Sequence, residues 1–112
     1  MRTNRLPATP TILAPSGNYA TANAEPRIRF SISAEPDGQE QTIEYSVDDG
    51  EFKELLKVPA IGGIFVGSIE EVSQGAHTIK LRAFDGLARS EETTNVEFSH
   101  NPFTALANPS TP

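Results

Sequence analysis

Hydrophobic and polar residues alternate with a period of two along most of the chain, the pattern of strands that turn one face to a core. Arg27 to Ala34 shows it most clearly: Ile28, Phe30, Ile32 and Ala34 fall on one side, and Arg27, Arg29, Ser31 and Ser33 on the other. Gln41 to Val47 repeats it with Ile43, Tyr45 and Val47 inward, then runs through Asp48, Asp49 and Gly50 toward Phe52. Asp-Gly between two such runs predicts a hairpin in which glycine takes the positive φ. Gly62 and Gly63 open an element whose Phe65, Gly67 and Ile69 share a face, with Val72 as a plug beneath the following loop. Gly75 releases a longer strand, His77 to Asp85, with His77, Ile79, Leu81 and Ala83 opposed to Thr78, Lys80 and Arg82. Asp85 and Gly86 turn it back toward Thr93 to Phe98, with Thr94, Val96 and Phe98 inward.

With a first short strand at Thr11 to Ala14, about seven strands follow one another at regular spacing. This predicts an all-β, two-sheet antiparallel sandwich whose inner faces meet at Phe30, Ile32, Tyr45, Phe65, Ile79, Leu81 and Phe98. No window carries a helical stripe; Glu51 to Leu56 comes nearest and is too short. The same stretch, to Lys57, reads as an edge strand protected by Lys53 and Lys57.

Six of the nine prolines lie in residues 1–15 and 99–112, so both ends read as extended arms. The expected division is an N-terminal arm over 1–9, a sandwich over 10–99 and a C-terminal tail over 100–112. Charge follows it. Residues 13–98 hold all 15 acids against 7 bases, the first twelve residues carry only Arg2 and Arg5, and the last fourteen carry no carboxylate. An acidic body repels phosphate backbones, which argues against nucleic-acid binding. Zero cysteines exclude disulfides, thiolate metal sites and cysteine nucleophiles. Met1 and two arginines begin like a signal peptide, but no apolar run of seven or more follows, and no stretch is long enough to span a bilayer. The expectation is a soluble, complete small product without membrane insertion.

The run Tyr45-Ser46-Val47-Asp48-Asp49-Gly50-Glu51-Phe52, then Phe65-Val66-Gly67-Ser68-Ile69, then Gly75-Ala76-His77-Thr78-Ile79-Lys80-Leu81-Arg82-Ala83-Phe84-Asp85, resembles bacterial and bacteriophage immunoglobulin-like, fibronectin type III-like domains. The resemblance covers roughly residues 10–98. Phe30 stands where many relatives carry tryptophan, and the cysteine pair of antibody-type domains is absent. The resemblance implies a non-enzymatic structural or display protein on a large assembly, most specifically a bacteriophage virion, as a capsid decoration or tail accessory, with weak adhesion to a host surface. Its alternative is a spacer or accessory module of a secreted bacterial adhesin or glycosidase, on the cell surface or outside the cell. It also implies that His77 packs and hydrogen-bonds backbone at a loop-to-strand corner.

Candidate chemistry is sparse. His77 and His100 have no identifiable orienting acid or nucleophile, and His100 reads as part of the proline-flanked tail, so no enzyme is expected. Asp37, Glu40, Asp48, Asp49, Glu51, Asp85, Glu91 and Glu92 sit near turns where calcium could find oxygen ligands, but no ligand spacing is present, and neither metal nor cofactor is expected. Glu70-Glu71 and Glu91-Glu92 read as wet loop faces. Phe84 falls on the outer face beside Lys80 and Arg82 and is a candidate surface contact. Tyr19, Phe52 and Phe84 are the only aromatics available for a weak cell-surface glycan contact. Protein partners are assigned to the arms, through Arg2, Arg5, Leu6, Phe103 and Leu106.

Overall fold

The computed structural model describes residues 7–14, 26–93 and 95–100 and the backbone of 19–21. Among the described residues eight strands form, β1 (Thr11–Ala14), β2 (Tyr19–Thr21), β3 (Arg27–Ile32), β4 (Gln41–Val47), β5 (Lys53–Val58), β6 (Gly63–Ser68), β7 (Gly75–Phe84) and β8 (Val96–His100). They build a three-stranded sheet in the order β1-β3-β6 and a five-stranded sheet in the order β2-β8-β7-β4-β5. The predicted all-β sandwich is what the structure shows, and no helix among the described residues is long and apolar enough to cross a membrane.

Alternation decides which residues meet. Ile28, Phe30 and Ile32 of β3, Ile43 and Tyr45 of β4, Ile79, Leu81 and Ala83 of β7 and Phe98 of β8 are all buried, with Ile69 and Val72 closing the core under the β6–β7 loop. Phe65 packs against them partly buried, its ring 6.1 Å from that of Phe30. A second contact closes the side of the sandwich. Ile43 pairs with Leu56 but Glu44 pairs with Glu54, so Leu55 is an extra residue in β5. The bulge re-aims its side chain toward Gly67 of β6, where an added Cβ would lie 2.7 Å from Leu55 Cγ.

Several boundaries differ from those read in the sequence. β2 is an extra strand; it runs parallel to β8, and a three-residue strand shows no alternation to read. β8 starts at Val96 instead of Thr93, because side chains imitate a strand beside the second half of β7. Ser90 Oγ accepts the Ala83 N–H at 2.8 Å and Thr93 Oγ1 accepts the Leu81 N–H at 3.0 Å. His100, read as a tail residue, is the last residue of β8, buried and paired with Gly75. Pro7 and Pro10, read on either side of the arm boundary, are both buried.

Candidate functional site

A polar cluster is built where the β4–β5 turn meets the start of β7. Asp48 and Asp49 take φ of 54° and 61°, and the Gly50 N–H donates to Val47 O at 3.0 Å, a type I′ turn. The predicted hairpin is present with its turn one residue earlier: the two aspartates carry the positive φ, and Gly50 does not. Aspartate is among the few side chains that tolerate this region. The conformation aims the Asp48 carboxylate at the start of β7, where Oδ1 accepts the Thr78 N–H at 2.9 Å and Oδ2 meets His77 Nδ1 at 2.7 Å.

His77 therefore does have an orienting acid, which sequence spacing hides because the partners lie 29 residues apart. A serine is also near, with Ser73 Oγ 3.4 Å from His77 Nε2. The cluster has the composition of a hydrolytic triad but lacks its proton logic. Nε2 lies 2.7 Å from the Ser73 carbonyl, a pure acceptor, and Nδ1 faces a carboxylate. Both ring nitrogens are thus placed to donate, which favours the imidazolium and leaves no lone pair to take a serine proton. The hydrogen bond to Asp48 raises the His77 pKa above its ordinary value; burial opposes this, and the Ser73 carbonyl and the Asp48 charge add to it. Burial pushes the Asp48 carboxyl up, but the His77 and Thr78 hydrogen bonds and the His77 charge outweigh it and hold it low. The imidazole also packs 5.7 Å from the Phe98 ring, as a corner residue would. Two open clefts of about 260 and 290 Å³ flank His77.

The outer face of the five-stranded sheet carries a second network. Glu44 Oε1 accepts from Arg82 Nε at 2.7 Å and from Arg89 Nε at 3.0 Å. Arg82 lies 3.7 Å from the centre of the Phe52 ring, and Arg89 lies 4.3 Å from that of Phe84. Burial raises the Glu44 pKa, yet the two arginine hydrogen bonds and charges win and leave it lowered. Lys80 binds Asp49 at 3.1 Å and Glu92 at 2.9 Å. Phe84 is thus on the outer face as expected, half-buried under a cation from the loop after β7. With guanidinium groups on Phe52 and Phe84, neither ring is a bare platform for a sugar.

Arg2, Arg5, Leu6, Phe103 and Leu106 lie outside the described residues. Among the described residues no group of three or more His, Asp or Glu is arranged to hold a metal.

No protein-family model matches the chain, and no curated protein matches it. Solved structures do. The PKD domain of an M14-like peptidase from Thermoplasmatales archaeon SCGC AB-540-F20 superposes with a TM-score of 0.59 at 20% identity, over 88% of this chain and 98% of that one. The fibronectin type III domain of human fibronectin type III domain containing protein 3 gives 0.46 at 15% identity, over 100% and 96%. This is an immunoglobulin-like sandwich. At these identities the likeness concerns fold, and an Ig-like fold serves many unrelated roles. Within it, the Tyr45 hydroxyl accepts the Glu70 N–H at 3.0 Å and ties the β6–β7 loop to the opposite sheet. The loop so held is the one that carries Ser73, so the His77 cluster is a fixed corner of the Ig-like frame.

Proposed function

We propose that the chain is a non-enzymatic Ig-like module that works by attachment within a larger protein or assembly. The observation that carries this reading is the arrangement of His77. The one serine–histidine–acid cluster among the described residues has both imidazole nitrogens committed to acceptors, so its chemistry is used to fasten the β4–β5 turn and the β6–β7 loop onto β7. Incubation with activated esters and with casein should give no turnover above that of Ser73→Ala. Hydrolysis that disappears in both Ser73→Ala and His77→Gln would overturn the reading.

In its most specific form the assembly is a bacteriophage virion, with the body displayed and the terminal residues, including Arg2, Arg5, Leu6, Phe103 and Leu106, as its anchors. The support is the uneven charge, which places every carboxylate in residues 13–98 and leaves the ends uncharged or basic. Deleting residues 101–112 should abolish incorporation into particles, and full occupancy by the truncated chain would remove this form. A spacer or accessory domain beside an enzyme is the second reading. The likeness to a PKD domain of a peptidase favours it.

A further inference from the structure

The two open sheets have four edge strands, β1, β6, β2 and β5, and they are not treated alike. An unpaired edge offers backbone N–H and C=O groups to any extended chain, and proteins normally blunt it with charge, proline, bulges or short length. β5 bears Lys53, Glu54 and Lys57 and the Leu55 bulge. β1 is four residues long, follows Pro10 and is irregular between Ile12 and Ala14. β2 has three residues. β6, Gly63-Ile64-Phe65-Val66-Gly67-Ser68, has six residues in regular register with β3, no charge and no proline. Its contact with Leu55 is made through Gly67, and among the described residues no strand pairs with β6 on the side away from β3.

The outward side chains of this edge say what would suit it. Ile64 is 58% and Val66 50% exposed, and Ile61 in the preceding turn is 81% exposed. Behind them on the same face, Arg29 stands opposite Val66 and Arg27 opposite Ser68. Both arginines are exposed, and like Lys57 of β5 neither has a carboxylate within ion-pair distance among the described residues, whereas Lys53, Lys80, Arg82 and Arg89 all do. In a chain with 15 acids and 9 bases, two neighbouring arginines without an ionic partner among the described residues are a local inversion of charge. A strand added to β6 would run two spacings, roughly 10 Å, from β3. Across the short Val66 and Ser68 side chains, an arginine and a glutamate together cover that distance.

We infer that β6 is a strand-addition site for an extended acidic segment of a partner protein, with aliphatic residues beside Ile64 and carboxylates beside Val66 and Ser68, where Arg29 and Arg27 reach them. Backbone pairing would supply affinity and the arginines would set charge preference and register. The inference rests on the attachment reading above and names a surface for it, but its test is separate from the hydrolysis assays and from the tail deletion.

The probe is a capped nine-residue peptide of alternating glutamate and valine, with a lysine–valine peptide as its counterpart. At low salt the acidic peptide should bind and the lysine peptide should not. Amide exchange should slow within Gly63–Ser68 and remain unchanged in Lys53–Val58. Arg27→Glu combined with Arg29→Glu, both at exposed positions, should weaken the acidic peptide at least tenfold and admit the lysine peptide. Absence of binding at millimolar peptide, equal binding of both peptides, or protection elsewhere would each overturn the inference. So would sedimentation showing that the wild-type chain dimerises and that Val66→Lys makes it monomeric, since a second copy would then own the edge.

Discussion

The outer faces of the two sheets treat the cations of β7 and β3 in opposite ways. On the five-stranded sheet each cation of β7 has found a carboxylate: Lys80 is shared by Asp49 and Glu92, and Arg82 is held by Glu44 while lying on Phe52. On the three-stranded sheet Arg27 and Arg29 have none among the described residues, and aliphatic side chains stand exposed beside them. A face whose groups satisfy one another contributes to the fold and has little left for a partner. A face whose groups are unsatisfied costs the fold almost nothing to keep and is available to something else. The difference can be broken by substitution, because residues on the first face should matter to stability and residues on the second should not.

The largest effect is expected where the chain crosses from the large sheet to the small one. Gly62 has φ of 77°, and a Cβ there would lie 2.4 Å from Ile32 O and 2.8 Å from the Ser33 carbonyl carbon, both backbone atoms that cannot step aside. Gly62→Ala should cost about 3 kcal/mol, from positive-φ strain together with displacement of the end of β3. Gly67→Ala, whose clash is with the Leu55 side chain, should cost less. Urea unfolding of both variants checks the order, and a Gly62→Ala midpoint equal to wild type would show that the β5–β6 turn is not held as described.

On the paired face, Glu44→Gln should cost about 2 kcal/mol, since it removes the shared acceptor of Arg82 and Arg89 at a side chain only 15% exposed. The Glu44 pKa is lowered in the folded chain, so its contribution is present above the ordinary carboxylate range and is lost as pH falls through the folded value. Wild type and variant should therefore converge in acid. A difference that stays constant from pH 7 to pH 3 would mean that Glu44 acts by packing and not by charge.

Much of this contrast was legible in the residues. Alternation in Arg27 to Ala34 put Arg27 and Arg29 outside and Phe30 inside, and the same reading placed Phe84 beside Lys80 and Arg82. Pairing was not legible, because it depends on register. Glu44 meets Arg82 only when β4 and β7 are neighbours, and it meets Arg89 only when the loop after β7 folds back along the sheet. The same limit hid the His77 cluster, whose acid sits in a turn and whose second acceptor, the Ser73 carbonyl, comes from a loop. The turn itself was displaced by one residue because Asp48 and Asp49 accept the left-handed region that is usually assigned to glycine. The open edge of β6 was hidden for a further reason: alternation identifies a strand's faces but not its neighbours, so the protected edge at β5 could be foreseen and the unprotected one could not.

A smaller effect is expected at the corner where the paired face ends. Asp48→Asn keeps a residue that tolerates positive φ and can still accept the Thr78 N–H, so it isolates the charge of the contact with His77. The His77 pKa is raised above its ordinary 6.5, so the charged pair stabilises fully below that pH and is lost as pH rises through the folded value. The Asp48 pKa is lowered below 3.8, so the other limit comes in acid, as pH falls through the folded value. Asp48 is half exposed, which reduces the worth of the pair to about 1 kcal/mol at pH 5.5. Stability of wild type relative to Asp48→Asn should shrink toward pH 9. A difference that grew with pH would contradict the doubly donating imidazole.

The smallest effect is expected on the unpaired face, and its smallness is informative. Arg27→Ala and Arg29→Ala remove exposed side chains with no ionic partner among the described residues, so each should change stability by less than about 0.5 kcal/mol. Ser68 and Val66 face them across the sheet and remain in place, so β-sheet pairing is untouched. Removing both cations also makes an already acidic chain more so, and any general charge effect would then appear as a slight loss that salt restores. Thermal melts at low and high salt separate that loss from a specific one. If either variant lost 2 kcal/mol regardless of salt, the arginines would be holding the sheet together, and the argument that they are kept for a partner would lose its footing. If both melt as wild type does, the fold does not need the two arginines, unlike the paired cations of β7.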